Sequence, residues 1–380
     1  MSIVNKVIGN QKWTNFEMCT KDFQSVNIES LNNKHLYSYN VNSLDYEYIH
    51  HYMVYIIFAK FLKFEHRYKP VEKVLYEIPF QYKKHLCMFT LGKFGLKFHI
   101  DTDENDIIER IFKKIKSASK IAAQLLKPII NESINNGDVT IENKSSILRE
   151  RYIYFRSKIK DLYISEGIDT TINLNILPDF STNRFNLKKE VFFNVQSMLD
   201  AYFSFQEHVL ILLLPFTNID FTKNKITDLI NANWSKIFNT VLSPSNSPDL
   251  MRHYDNLRNI KELRNQYAHG GFEKNDGSIL PHIEGIGIIP IELSSDNEYK
   301  ILYLHDYSYK EICDVIDKFE EHLISSDWLM PIKIIQSGLD ISLNEEFVLK
   351  LNMAIESNEC VDEFLEYTFS LEDKDINMEW

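Results

Sequence analysis

Arg264, Asn265 and His269, in the run Leu263-Arg264-Asn265-Gln266-Tyr267-Ala268-His269-Gly270-Gly271, are the side chains of this chain best suited to reaction chemistry. A guanidinium grips a phosphate through a charge-assisted fork, an imidazole exchanges protons near neutral pH, and an amide orients either of them or a substrate. Together they can break an RNA phosphodiester without a metal, the imidazole serving as base for the 2′-hydroxyl and the cation meeting the charge that gathers on the phosphate. The spacing of Arg, four residues, His is short and arises readily by chance. The elements around it must therefore carry the reading.

The run closes an amphipathic helix. Ser247-Pro248-Asp249 is a strong helix start, an N-cap followed by proline at the first helical position and an acid at the positive end of the dipole. Gly270-Gly271 supplies the exit that a left-handed C-terminal cap favours. Tyr254, Leu257, Ile260 and Tyr267 share the core stripe, while Arg258, Glu262, Asn265 and His269 step by four, three and four along a polar face. Arg264 lies about 100° round from Asn265, and its length lets it reach over the helix end toward His269. A polar stripe of this composition also suits a solvated face laced with ion pairs, and spacing alone does not separate the two.

Two helices are expected before it. Val191, Val195, Met198, Tyr202, Phe205, Val209 and Leu212 recur at three- and four-residue spacings, with Ser197, Asp200, Ser204 and Glu207 on the other side and Pro215 at the end. A second helix is expected over 223–242, with Ile226, Ile230, Trp234, Ile237 and Val241 on one stripe. After the motif, residues 277–306 read as a loop with a hairpin about a polar turn at Asp296-Asn297. A fourth helix opens at Ser308 with a capping box to Glu311, and a shorter acidic helical segment has a further box at Ser342 and Glu345.

The first half mixes periods. Residues 45–68 suit a buried helix, whereas Val74, Tyr76, Ile78, Phe80 and Tyr82 alternate as in a half-buried strand, and 86–91 and 96–100 continue as strands of a small antiparallel sheet. Asp103 opens a long helix through Ile107, Ile108, Ile111, Ile115, Ala118, Ala122 and Leu126, halted near Pro128 or by Gly137, and another helix follows over 145–165. Residues 167–184 read as a linker. The expected class is α+β: a mixed domain over 1–186 suited to sensing or substrate recognition, a four-helix domain over 187–326 with its hairpin insertion at about 277–306, and an acidic helical extension over 327–380.

With 380 residues and 44% hydrophobic composition the chain can fill two cores and an appended third segment. Four scattered cysteines, Cys19, Cys87, Cys313 and Cys360, suggest a reducing cytoplasm rather than a zinc or redox site. Residues 1–16 lack the apolar core of a signal peptide, and the longest apolar run, 209–216, is too short to span a bilayer, so no membrane partner is expected. Asp101-Thr102-Asp103-Glu104-Asn105 begins like a calcium loop, but Asp106 stands where glycine is required and Phe112 where the bidentate glutamate belongs, which favours helix capping. His50-His51 lacks the spacing of a metal pair on one helix face and fits a packed or exposed aromatic feature. No phosphate-cradling glycine loop is present, and no cofactor and no metal are expected. The net charge of −12 argues against nucleic acid at first sight. Residues 306–380, however, hold nineteen acidic against five basic residues, a net of −14, so residues 1–305 carry +2.

Two amphipathic helices, a third ending in Arg-Asn-x-x-Ala-His-Gly and a closing fourth resemble the HEPN superfamily, four-helix ribonuclease domains of toxins and prokaryotic antiviral proteins, over about residues 187–327. The mixed domain ahead of the bundle further resembles the ApeA-like abortive-infection HEPN proteins. The resemblance implies that Arg264 and His269 are the catalytic pair and Asn265 the polar residue following the arginine. It implies a metal-independent endoribonuclease acting as a homodimer with facing motifs, on RNA with tRNA one candidate target, in antiviral defence or as a growth-arrest toxin, and restrained by a regulatory or antitoxin partner. The alternative is a catalytically inactive HEPN-like bundle used for dimerisation or for binding a ligand or RNA. The long insertion after Gly271 departs from a compact domain of this kind and would gate the site or meet a regulator. Glu207 fits a surface or capping role, and the acidic 327–380 segment is either a solvated face or a competitor of RNA for the Arg264 cleft.

Overall fold

The computed structural model describes residues 11–31, 34–41, 49–165, 167, 169–171, 182–217, 219, 226–269, 278–279, 281–288, 291–293, 299–301 and 307–379, with 182–189, 266–269, 278–279, 291–293 and 299–301 described by their backbone element alone. The architecture is mixed α+β, and the chain divides into two compact units, Met1–Asn136 with Glu366–Trp380, and Gly137–Leu365. The division thus falls near residue 136, where a boundary at 186 was expected. The helix Ser145–Ser165 belongs with the second unit because its buried Tyr152, Ile159 and Tyr163 need an apolar partner, and Tyr152 packs at 5.2 Å on Tyr202 of the helix Thr182–Leu212.

In the first unit, α1 (Gln11–Thr20) precedes β1 (Phe23–Ser25) and β2 (Tyr37–Asn40). Then come α2 (His51–Tyr55), β3 (Arg67–Val71), β4 (Val74–Tyr82), β5 (His85–Gly92), β6 (Gly95–Ile100) and α3 (Asn105–Asn135). The strands pair antiparallel in the order β1-β4-β5-β6-β2, with β3 also on β4. Register follows from the short turns: Tyr82 faces His85 across Lys83-Lys84, where Lys83 takes a positive φ of 54°, and Gly92 faces Gly95 across Lys93-Phe94, where Gly95 has φ 107°. That register aligns Phe80, Phe89 and Phe98 on one face of neighbouring strands, with centroids 5.5 and 5.1 Å apart, and Phe112 of α3 meets Phe98 edge-on at 5.2 Å. Ile108, Ile111, Ile115, Ala118, Ala122 and Leu125, at helical spacing, bury α3 in the same core.

Two expectations are corrected here, and one pair of alternatives is decided. Of the helix expected over 45–68, residues 45–48 lie outside the described residues, and the rest holds α2, a π-helical stretch Ile56–Phe61 ended at Lys63 with φ 56°, and the start of β3. Of the two stops expected for α3, Pro128 is not the one, because it and Gln124, whose carbonyl loses its partner, are both exposed and water can serve that group. The helix ends at Asn135, and Gly137, with φ 72°, supplies the left-handed turn. Asp101 does not cap α3, which starts after Glu104. Its carboxylate instead accepts from the Leu86 amide at 2.9 Å and meets His85 Nδ1 at 3.0 Å.

The second unit is mostly helical. Its helices are α4 (Ser145–Ser165), α5 (Thr182–Leu212), α6 (Ile226–Ile230), α7 (Trp234–Leu242), α8 (Pro248–His269), α9 (Tyr309–Ile324), α10 (Leu329–Gln336), α11 (Glu345–Ala354) and α12 (Asn358–Asn377), whose last turns belong to the first unit. The helix expected over 223–242 is two pieces, because Asn231-Ala232-Asn233 interrupts it and Asn233 Oδ1 caps the amide of Lys236 at 2.8 Å. The capping box at Ser308 and Glu311 is present, with the Ser308 amide donating to Glu311 Oε2 at 2.7 Å. The box expected at Ser342 is not the cap: Asn344 accepts from the Glu346 amide at 3.0 Å, while Ser342 lies in the strand Ile341–Ser342 paired with Thr140–Ile141. In the insertion, Ile291–Leu293 pairs antiparallel with Tyr299–Ile301 and also with Ser278–Ile279. The turn residues Asp296 and Asn297 lie outside the described residues.

Candidate functional site

The site is built on α5 and α8. Leu250, Tyr254, Leu257, Ile260 and Leu263 bury one stripe of α8, and Tyr254 stacks on Trp234 of α7 with centroids 5.6 Å apart and planes 2° from parallel. Val191, Val195, Met198, Tyr202 and Val209 bury α5. With the apolar faces fixed, the polar residues that interrupt them are brought together. Asp200 Oδ1 accepts from Arg264 Nε at 2.5 Å, and Glu207 Oε1 accepts from Lys261 Nζ at 2.8 Å. Lys261 also sits 5.1 Å from the Trp234 ring and 5.3 Å from that of Phe203, so its charge is held by both an acid and aromatic faces.

Arg264 Nη1 donates to Asn265 Oδ1 at 3.0 Å. Asn265 thereby orients the arginine. The bonds to Asp200 and Asn265 use two of the five N–H donors of a guanidinium. Both members of the Asp200–Arg264 pair are about one-third exposed. Such a pair is worth little to stability, on the order of 1 kcal/mol or less, but it fixes the direction of a long side chain.

His269 is the last residue of α8, and its side chain lies outside the described residues, as do Gly270 and Gly271. A rise of 1.5 Å per residue puts its Cα about 7.5 Å beyond that of Arg264 along the axis. The remaining members of the expected polar face pair within the helix, Arg258 with Asp255 at 3.5 Å and with Glu262 at 3.8 Å. Beside this face, burial raises the pKa of the Tyr307 phenol while a hydrogen bond to Asn259 opposes the shift. At the start of α8, burial and then the neighbouring His322 lower the pKa of His253.

Asp200 and Lys261 were not legible as site residues. Asp200 reads in the sequence as one more polar position of α5; the signal that could have found it is the repeat of acids at 200 and 207 opposite cations at 261 and 264. Glu207, read as a surface or capping residue, is an inter-helix ion-pair partner. Among the acids of α12, Asp362 pairs with Lys333 at 2.7 Å and Asp375 with Lys69 at 3.5 Å. Among the described residues no group of three or more His, Cys, Asp and Glu side chains could hold a metal ion, and no helix is long and apolar enough to cross a membrane. His50 and His51 stack at 4.5 Å, and His50 Nδ1 accepts from the Tyr52 amide at 3.3 Å.

Comparison with protein-family models, with curated proteins and with solved structures finds no match to this chain.

Proposed function

We propose that residues 187–326, within the second unit, form a HEPN-like four-helix domain and that the protein is an endoribonuclease cleaving RNA through its own 2′-hydroxyl, with Arg264, Asn265 and His269 as the reacting set. The observation that carries this reading is the clamp on Arg264. A guanidinium at a helix end, turned by Asp200 and Asn265, presents its other donors in one fixed direction, which is what a phosphate-binding fork requires and what a freely moving surface arginine lacks.

In this mechanism His269 accepts the 2′-hydroxyl proton, and O2′ attacks the adjacent phosphorus in line. The P–O5′ bond breaks, the 5′-oxygen leaves and is protonated from solvent, and Arg264 meets the charge on the non-bridging oxygens. The products are a 2′,3′-cyclic phosphate and a 5′-hydroxyl, with no metal required for any step. One helix end supplies one cation and one imidazole, so a homodimer with facing α8 ends is the assembly that doubles the phosphate grip. The cellular setting proposed is the cytoplasm, in antiviral defence or growth arrest.

A second reading has an observation of its own. Asp200 offsets the charge of Arg264, which suits a bundle that binds RNA, a ligand or a second copy without cleaving it. An RNA carrying a 2′-deoxy nucleotide at the cleavage position separates the two. The nuclease reading predicts binding without cleavage of that RNA and cleavage of its all-ribo counterpart. Binding of both without cleavage of either favours the second.

A further inference from the structure

Asp200 and Glu207 lie on one face of α5, while Tyr202, Phe205 and Val209 lie on the opposite face, about 180° round at 100° per residue. That opposite face lines a cavity of about 690 Å³ bounded by α4, α5, α9 and α10, within the range of small-molecule sites. Its walls are mostly apolar, with Ile153, Phe205, Val209, Leu323, Ile332 and Ile335 among them.

The charged residues of the lining are one cation, Arg149, and four acids. Two of the acids are already matched. Glu320 Oε2 accepts from Arg149 Nη2 at 3.0 Å, and Asp317 accepts from both Nη groups of Arg156 at 2.6 Å. Each of these pairs is neutral as a unit. The other two acids, Glu150 on α4 and Glu321 on α9, are exposed and make no ion pair among the described residues. Helical spacing puts both on the cavity side: Glu150 stands four residues from Ser146 and from Tyr154, and Glu321 four from Asp317 and three from Ile324, all of them lining residues. The bridge between their immediate predecessors, Arg149 and Glu320, brings the two acids near the same level of the two helices. The cavity therefore carries two uncompensated negative charges beside an apolar interior. Its aromatic wall also accepts a cation, since the Arg149 guanidinium lies 5.6 Å from the Phe205 ring.

We propose that this cavity binds an amphiphilic organic cation, an amine whose aromatic or alkyl body fills the apolar interior and whose ammonium group lies at the mouth beside Glu150 and Glu321. An anion of the same shape meets like charge there, and a neutral molecule gains only the apolar contact. Tyr154 and Ile324, 61% and 49% exposed, are open apolar lining next to these acids, so the body enters past them. The ammonium keeps part of its water at the mouth, which avoids the cost of burying a charge. This site stands apart from the nuclease reading and is tested by binding alone.

The experiment is isothermal titration of the full-length chain with three compounds that share a body and differ in charge: naphthylethylamine, naphthylethanol and naphthylacetate. The expected result at low salt is one amine per chain, bound at least tenfold more tightly than the alcohol, with the acetate weakest and the advantage of the amine shrinking as salt rises. The double variant Glu150→Gln with Glu321→Gln, at exposed positions, is expected to bind the amine no more tightly than the alcohol and to leave the alcohol unchanged. Ser146→Trp, at an exposed lining position where added bulk does not disturb the core, is expected to weaken amine and alcohol alike, which places the body inside the cavity. Absence of saturable amine binding, equal affinity for amine and alcohol in the parent, a preference for the amine that survives in the double variant, or binding unchanged in Ser146→Trp overturns the proposal.

Discussion

Asp200 on α5 holds Arg264 on α8 by its Nε at 2.5 Å, and Asn265 takes the Nη1 of the same guanidinium at 3.0 Å. The direction of the arginine is thus set from a helix distant in sequence as well as from its own neighbour. Asp200→Asn keeps an acceptor but removes the charge, so it is expected to leave folding within about 1 kcal/mol of the parent. RNA cleavage should fall about tenfold, in kcat more than in KM, because the arginine is misdirected rather than lost. Steady-state kinetics with a urea titration checks this; undiminished kcat in the folded variant removes Asp200 from the positioning role.

Assembly is a separate prediction. If two α8 ends face one another, the protein is a homodimer at the concentration at which it cleaves RNA. Sedimentation velocity at that concentration checks it, and an active monomer contradicts it.

The first unit depends on its phenylalanine ladder. Phe98 is fully buried between Phe89 and Phe112, so Phe98→Ala removes a large side chain from a core that cannot close over the space. A loss of about 3–5 kcal/mol is expected, read as a lower denaturation midpoint for the first unit. A change under about 1 kcal/mol would mean that the sheet and α3 do not pack as described.

A pH dependence follows from His208. Its Nε2 accepts the amide proton of Lys144 at 2.9 Å, and burial, then Lys144, lower its pKa. A base whose folded pKa lies below its unfolded value contributes stability above the unfolded value of about 6.5 and loses it as pH falls through the folded one. His208→Gln keeps an acceptor that does not titrate. The variant should show a shallower fall in urea midpoint between about pH 7 and pH 5 than the parent, and parallel profiles would contradict the assignment.

Local signals carried much of the fold. Alternation at 74–82, the three- and four-residue spacing of Ile108 to Ala122, and the Ser308–Glu311 box each act within a few residues, and each appears in β4, α3 and α9 as read, although Leu125 rather than Leu126 closes the buried stripe of α3. What the sequence hid depends on tertiary contact. The break at Asn231–Asn233 is stabilised by a cap that competes with a continuous apolar stripe, and α4 joins the second unit because Tyr152 finds Tyr202. At the site, Arg264 and Asn265 stand out by type and spacing, whereas Asp200 and Lys261 matter only once α5 and α8 lie side by side.

The most direct test is cleavage of a defined single-stranded RNA in the presence of EDTA by the parent, Arg264→Ala and His269→Ala. Cleavage by the parent should persist under chelation and leave 2′,3′-cyclic phosphate and 5′-hydroxyl ends, while each variant, still folded, loses at least about a hundredfold in rate. Cleavage that stops with EDTA, or that both variants retain, would contradict the assignment of Arg264 and His269 as the reacting pair.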